Sequence, residues 1–147
     1  HHYALGRSVV GNLIPKPTSA ITATVQVLSR IKEESIGSFS YRTPTAIVGS
    51  ADLTLNLSKD VCLEDVNNIL NEFKRNQKWA ILEIMSDPLV SLDFVNNRHS
   101  AVVDSRWTSV IGGNLLKLVL WYDNEAGYSM RVLDQIKYVN SLEKEGA

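Results

Sequence analysis

Cysteine is almost missing from this 147-residue chain. The one thiol, Cys62, excludes an internal disulfide, and with no signal-peptide pattern at the start it points to a reducing, cytoplasmic setting. Long apolar runs are missing too, none approaching the ~18 residues of a membrane helix. Nor is there a charge excess: fifteen Lys and Arg against sixteen Asp and Glu leave a formal net charge of -1. Such a balance gives no field to gather nucleic acid or an anionic membrane, so any anion site must be local. Repeats and internal linkers are lacking as well. What remains is an ordinary globular composition, 44% hydrophobic and 21% charged, at a one-domain length. The opening His1-His2-Tyr3 lacks an initiator methionine, is compatible with a fragment, and carries histidines that are either a tag remnant or native. Adjacent histidines do not share the helical face that metal ligands use, and His99 is distant, so no metal site is expected.

The pattern of apolar residues alternates between helical and extended. Ile14-Pro15-Lys16-Pro17 cannot be helix interior, and Thr18 is a suitable N-cap for a helix from Ser19 to about Lys32, with Ile21, Val25, Leu28 and Ile31 on one face. Gly37 to Val48 reads as a strand in which Pro44 marks an edge, bulge or turn. Ala51 to Leu57 alternates cleanly, placing Leu53, Leu55 and Leu57 opposite Asp52, Thr54 and Asn56. Glu64 and Asp65 open a second helix with an apolar stripe of Val66, Ile69, Leu70 and Phe73. Further strands are expected at Trp79–Met85, Leu89–Phe94, Ser100–Val103, Thr108–Ile111 and Leu115–Tyr122, the last two joined by a Gly112-Gly113-Asn114 turn. Tyr128 to Leu142 closes the chain as a helix with Val132, Leu133, Ile136 and Val139 inward and Glu143-Lys144-Glu145 solvated. The expected fold is α+β: a mostly antiparallel or mixed sheet with helices packed on one face and the other face available for subunit contacts.

Few of these residues suggest chemistry by spacing alone. Cys62 precedes acidic residues that oppose a thiolate, and it reads as a bland, partly buried thiol. Asp52, Asp93 and Asp104 are expected to face solvent or pair with a neighbouring base, and none is assigned as acid or base. The better candidate is an anion site at Pro17-Thr18-Ser19, where backbone N–H groups and two hydroxyls meet a helix start and Arg42 is available from the following strand. An ordinary N-cap and a surface arginine is the alternative.

Several motifs carry a family resemblance. In order they are Arg7 with Asn12-Leu13-Ile14-Pro15, Pro17-Thr18-Ser19-Ala20, Tyr41-Arg42-Thr43-Pro44-Thr45, Asp87-Pro88-Leu89-Val90-Ser91-Leu92-Asp93-Phe94, Val103-Asp104-Ser105, and Trp121-Tyr122-Asp123-Asn124-Glu125-Ala126-Gly127-Tyr128-Ser129. Together they resemble the C-terminal catalytic domain of phosphorylating glyceraldehyde-3-phosphate dehydrogenases, with residues 1–147 as that domain. The resemblance implies an N-terminal Rossmann domain outside this chain, which binds most of the NAD or NADP. It also implies a cysteine nucleophile and an activating histidine that no residue here matches, so this chain alone is expected to be inactive. Residue by residue, it assigns Thr18, Ser19 and Arg42 to substrate phosphate and inorganic phosphate, Asn124 to the nicotinamide carboxamide and Tyr128 to the vicinity of that ring.

The reaction so implied converts glyceraldehyde 3-phosphate and inorganic phosphate to 1,3-bisphosphoglycerate. Erythrose 4-phosphate is the competing substrate, and a non-catalytic assembly or regulatory module is the alternative from a different class. Three departures from the pattern stand out: Ser19 replaces a glycine, Ala126 a common tryptophan, and Lys16-Pro17 a small polar pair. Arg7 to Val10 matches a loop that reaches toward a neighbouring subunit. A homotetramer of the whole protein is expected, with Thr54, Asn56 and Ser91 on the sheet face that meets another sheet.

Overall fold

The computed structural model describes residues 3–145, and side chains as far as Glu143. His1 and His2, considered above as metal ligands, and the side chains of Lys144 and Glu145 lie outside that description. The chain forms two compact units, one ending at Ala46 and one starting at Ile47.

The first unit is built on a short antiparallel ribbon. β1 (Ile14–Lys16) pairs with β2 (Ser40–Arg42) in a register that sets Ile14 opposite Arg42 and Lys16 opposite Ser40. Between them lies α1 (Ala20–Val27), followed by a 3-10 turn at Glu33–Ser35. The helix is therefore shorter than the expected Ser19–Lys32, and Leu28 already leaves helical geometry at φ -109, ψ 75. The cause is local: Ile21, Thr22, Thr24, Val25 and Val27 are β-branched, and no residue of α1 is buried, so neither propensity nor packing extends it. The single strand expected over Gly37–Val48 is likewise two strands, interrupted around Pro44, which has no N–H for a ladder.

The second unit is a mixed five-stranded sheet with helices, and the fold is α+β. Its elements are β3 (Val48–Asn56), α2 (Leu63–Asn76), β4 (Leu82–Met85), β5 (Ala101–Asp104), β6 (Ser109–Ile111), β7 (Leu115–Asp123) and α3 (Asn124–Glu145). β7 is central. Along its whole length it pairs antiparallel with β3, from Val48 opposite Asp123 to Asn56 opposite Leu115. Its other edge takes β6 and then β5, and β4 joins β5 in parallel. The β6–β7 turn needs its glycines, since Gly112 and Gly113 have φ of 61° and 86°.

Paired residues of an antiparallel ladder point to the same face, so Leu53 with Leu118 and Leu55 with Leu116 share one side. On that side Val66 of α2 packs with Val103, Leu116 and Leu118 to form the larger core. On the opposite face Val48, Val102 and Phe94 form a second core, and Phe94 stacks on Trp121 with ring centroids 5.4 Å apart and planes 10° apart. The rest of that face is open and mixed: Lys117, hydrogen-bonded to Thr54 and ion-paired with Asp52, stands between Leu115 and Val119.

Three sequence expectations need correction here. Leu89–Phe94 is not a strand: Ser91–Phe94 is a 3-10 turn, because the Asp93 carboxylate accepts the Val90 N–H at 2.8 Å and Phe94 turns in to the core. Ser91 is accordingly not a sheet residue. The closing helix starts at Asn124, not Tyr128, and Val132, Leu133, Ile136 and Val139 are 40–60% exposed rather than inward. Apolar periodicity identifies a helix face but not what covers it. In α2, Ile69 and Phe73 are exposed, and Val66 and Leu70 carry the packing.

Phe94→Ala is expected to destabilise the protein by about 3–5 kcal/mol, as for other large aromatic deletions in a core. Urea denaturation followed by Trp fluorescence measures it, and a loss under about 1 kcal/mol would mean that the second core can collapse around the gap.

Candidate functional site

The phosphate-binding candidates lie in the first unit. The Thr18 hydroxyl oxygen accepts the Ala20 N–H at 3.2 Å, and its own O–H remains free to donate. Ser19 is the N-cap of α1 by backbone position but makes no capping bond with its side chain. Its φ of -83° is open to any residue, so replacing glycine by serine imposes no backbone strain. Arg42 is exposed at the end of β2. The ribbon register sets it beside Ile14, at the opposite end of the ladder from the strand exit that leads to Thr18. The structure thus puts all three residues on one ribbon-and-helix motif, without direct contact between Arg42 and Thr18 among the described hydrogen bonds.

The cofactor-side candidates lie in the second unit, on α3. Asn124 is its first residue and Tyr128 follows one turn later, so both fall on one helix face, and both side chains are exposed. The residue before them, Asp123, has no role assigned by spacing or resemblance. Asp123 is 2% exposed, and its Oδ1 accepts the N–H groups of Glu125 at 3.1 Å and Ala126 at 3.0 Å, while Oδ2 accepts that of Asn96 at 2.8 Å. These bonds, first those from Ala126 and Asn96, hold its carboxyl below the usual carboxylate range. Its sequence signal is an N-cap aspartate directly ahead of a helix, masked when the helix is expected to start at Tyr128 rather than Asn124.

A second buried carboxylate, Asp104, ends β5 and bonds to the side chain of Trp121, two residues before Asp123. Asp104 is fully buried and takes a bidentate pair from Arg106, with Nε to Oδ1 at 2.8 Å and a terminal nitrogen to Oδ2 at 2.6 Å. Trp121 Nε1 donates to the same Oδ2 at 3.1 Å, and Arg106 also reaches the Leu89 carbonyl at 3.0 Å. The Arg106 guanidinium holds the Asp104 carboxyl below its ordinary value against the opposing effect of burial. A bidentate arginine of this kind is structural: both oxygens are occupied and none faces solvent. The expectation of a solvent-facing or base-paired Asp104 resolves to the pairing. Asp52 is exposed and paired with Lys117, and Asp93 caps the Val90 turn. Cys62 is exposed, not partly buried, because it serves as the N-cap of α2, where the Asp65 carboxylate accepts its backbone N–H at 2.8 Å. Among the described residues no cluster of three metal-ligating side chains occurs.

With this geometry in place, comparison with known proteins is informative. Residues 1–124 match the family model described as glyceraldehyde 3-phosphate dehydrogenase, C-terminal domain. A glyceraldehyde-3-phosphate dehydrogenase of Priestia megaterium is 40% identical over 137 residues, covering 93% of this chain and 41% of that protein. Glyceraldehyde-3-phosphate dehydrogenase 2 of Staphylococcus aureus is 39% identical over 92% of this chain and 39% of its own length. Glyceraldehyde-3-phosphate dehydrogenase B of Aspergillus oryzae is 38% identical over 95% and 41%. The chain therefore spans about two fifths of the length of the curated relatives it matches. An α+β sheet domain with this match falls in the class of dehydrogenase C-terminal domains. The chain belongs to the glyceraldehyde-3-phosphate dehydrogenase C-terminal domain family.

The depressed carboxyl of Asp104 fixes the sign of a pH effect. Its contribution is present at pH values above the ordinary aspartate range and is lost as pH falls through its lowered folded-state value. Asp104→Asn is expected to lower stability at neutral pH and to flatten the fall in stability as pH drops below the ordinary aspartate range. Denaturant midpoints across that drop in pH test this, and an unchanged pH slope would remove Asp104 from the account.

Proposed function

We propose that this chain is the substrate- and phosphate-binding domain of an NAD(P)-dependent dehydrogenase that oxidises glyceraldehyde 3-phosphate with inorganic phosphate to 1,3-bisphosphoglycerate. On this reading residues 1–147 form the C-terminal catalytic domain, and the nucleophilic cysteine and its activating histidine come from elsewhere in the same subunit. The observation that carries the reading is the family match, which runs through Thr18, Ser19, Arg42 and Asn124.

Each residue then has a chemical task. The planar fork of Arg42 suits a phosphoryl group and bridges the positions of substrate phosphate and inorganic phosphate. Hydroxyl donors from Thr18 and Ser19, with the backbone N–H groups at the start of α1, neutralise the remaining phosphate oxygens. Asn124 offers both a donor and an acceptor, which is the complement of a carboxamide, and its exposed place at the head of α3 fits that group. Tyr128, on the same face, packs near the ring. The nicotinamide, when bound, accepts the hydride that leaves the substrate carbon.

The partners follow from the same reading. The exposed apolar residues Val132, Leu133, Ile136 and Val139 of α3 offer a surface to the N-terminal Rossmann domain of the subunit. The open sheet face carrying Asp52, Thr54, Asn56 and Lys117 suits a mixed contact with another subunit in a homotetramer. No described helix is long and apolar enough to cross a membrane, and a cytoplasmic setting belongs to this proposal.

Initial rates of NADH or NADPH formation by the full-length protein test it. Glyceraldehyde 3-phosphate with phosphate is expected to support turnover, and Arg42→Ala to lower kcat/KM by about 100-fold or more with a raised KM for phosphate. A preference for erythrose 4-phosphate would transfer the reading to that substrate. No turnover with either aldehyde would favour a non-catalytic assembly module.

A further inference from the structure

The carboxylate of Asp123 does more than an ordinary helix cap. A cap needs one acceptor oxygen, and Oδ1 supplies it to Glu125 and Ala126. The second oxygen reaches back to the N–H of Asn96, which lies 27 residues earlier and is the only described non-glycine residue with a positive φ, 64°. The loop so held continues to His99, whose carbonyl oxygen lies 3.0 Å from where a Cβ on Gly127 would stand. The first turn of α3 is thus clamped against this loop, by a carboxylate before Asn124 and by close backbone contact after it. The Asn124 side chain is exposed and makes no hydrogen bond among the described residues, so the backbone at the head of α3 sets only where its Cα–Cβ bond points.

We propose that Asp123 is the positioning residue for Asn124: by tying the start of α3 to the Asn96 loop, it fixes the place and Cα–Cβ direction from which the Asn124 amide reaches the carboxamide of a nicotinamide dinucleotide. The proposal rests on the reading of Asn124 given above. It adds that the affinity due to the nicotinamide half of the ligand depends on the second oxygen of Asp123. Asp123→Asn separates the two oxygens, since a carbonyl can still cap the helix while the new NH2 meets the Asn96 N–H donor to donor. Asp123→Ser gives a second test, as serine is a good N-cap with no second acceptor to reach Asn96.

The test is direct binding to the full-length protein by calorimetry, using NAD and NADP and, as ligands without the nicotinamide, ADP-ribose and its 2′-phosphate. Asp123→Asn and Asp123→Ser are each expected to weaken the dinucleotide about fivefold while leaving the matching ADP-ribose within about twofold. In an Asn124→Ala background, Asp123→Asn is expected to change dinucleotide affinity by less than about twofold, because the two residues act in series. Equal weakening of dinucleotide and ADP-ribose would show a general structural role and overturn the proposal, as would additive effects in the double variant. If both Asp123 variants fold and bind like wild type while Asn124→Ala weakens only the dinucleotide, Asn124 keeps its role and Asp123 loses it. If Asn124→Ala has no effect on the dinucleotide, the reading of Asn124 itself fails and takes this proposal with it.

Discussion

Asp123 ends the central strand with its carboxylate turned onto three backbone N–H groups, two in the first turn of α3 and one in the Asn96 loop. Around that point three parts of the chain converge: β7, which orders the sheet, the loop leading to β5, and the helix whose face bears Asn124 and Tyr128. A buried carboxylate is tolerated only when its oxygens are satisfied, and here the partners are amides that would otherwise lack acceptors. The same interaction that completes the hydrogen bonding of the fold therefore fixes the direction in which the helix leaves the sheet.

A comparable economy appears at Asp104. Its oxygens join Arg106 and Trp121, and Trp121 in turn stacks on Phe94, so one polar knot and one aromatic pair share a residue. The polar bonds set the orientation of the indole, and the indole supplies apolar area to the second core. This part of the sheet is thereby closed, whereas the part carrying Asp52, Thr54 and Lys117 is left open and mixed. One face of one sheet thus has a packed half and an open half.

Much of this was legible in the sequence, and the exceptions have physical causes. Clean alternation located β3, an almost continuous apolar run located β7, and the glycine pair located the hairpin between β6 and β7. Alternation misled at Leu89–Phe94, where a side-chain cap from Asp93 outcompeted the strand ladder. Spacing also misjudged α1, which has β-branched residues and no buried face to sustain its length. Local pattern made Thr18, Ser19 and Arg42 a candidate anion site beside the alternative of an ordinary cap and a surface arginine, whereas the roles of Asn124 and Tyr128 rest on motif resemblance alone. Asp123 was readable in principle as a cap. Its link to Asn96 was not, because a contact across that separation has no local trace in the sequence.

The proposed function joins two chemistries, hydride removal and capture of the acyl group by phosphate, and only their combination distinguishes a phosphorylating dehydrogenase from other aldehyde oxidations. The most direct measurement is phosphorus NMR of the full-length protein turning over glyceraldehyde 3-phosphate with NAD or NADP and inorganic phosphate. The account predicts an acyl phosphate resonance that grows in step with reduced cofactor. Reduced cofactor accompanied only by a free carboxylic acid, or no reduction at all, would contradict it.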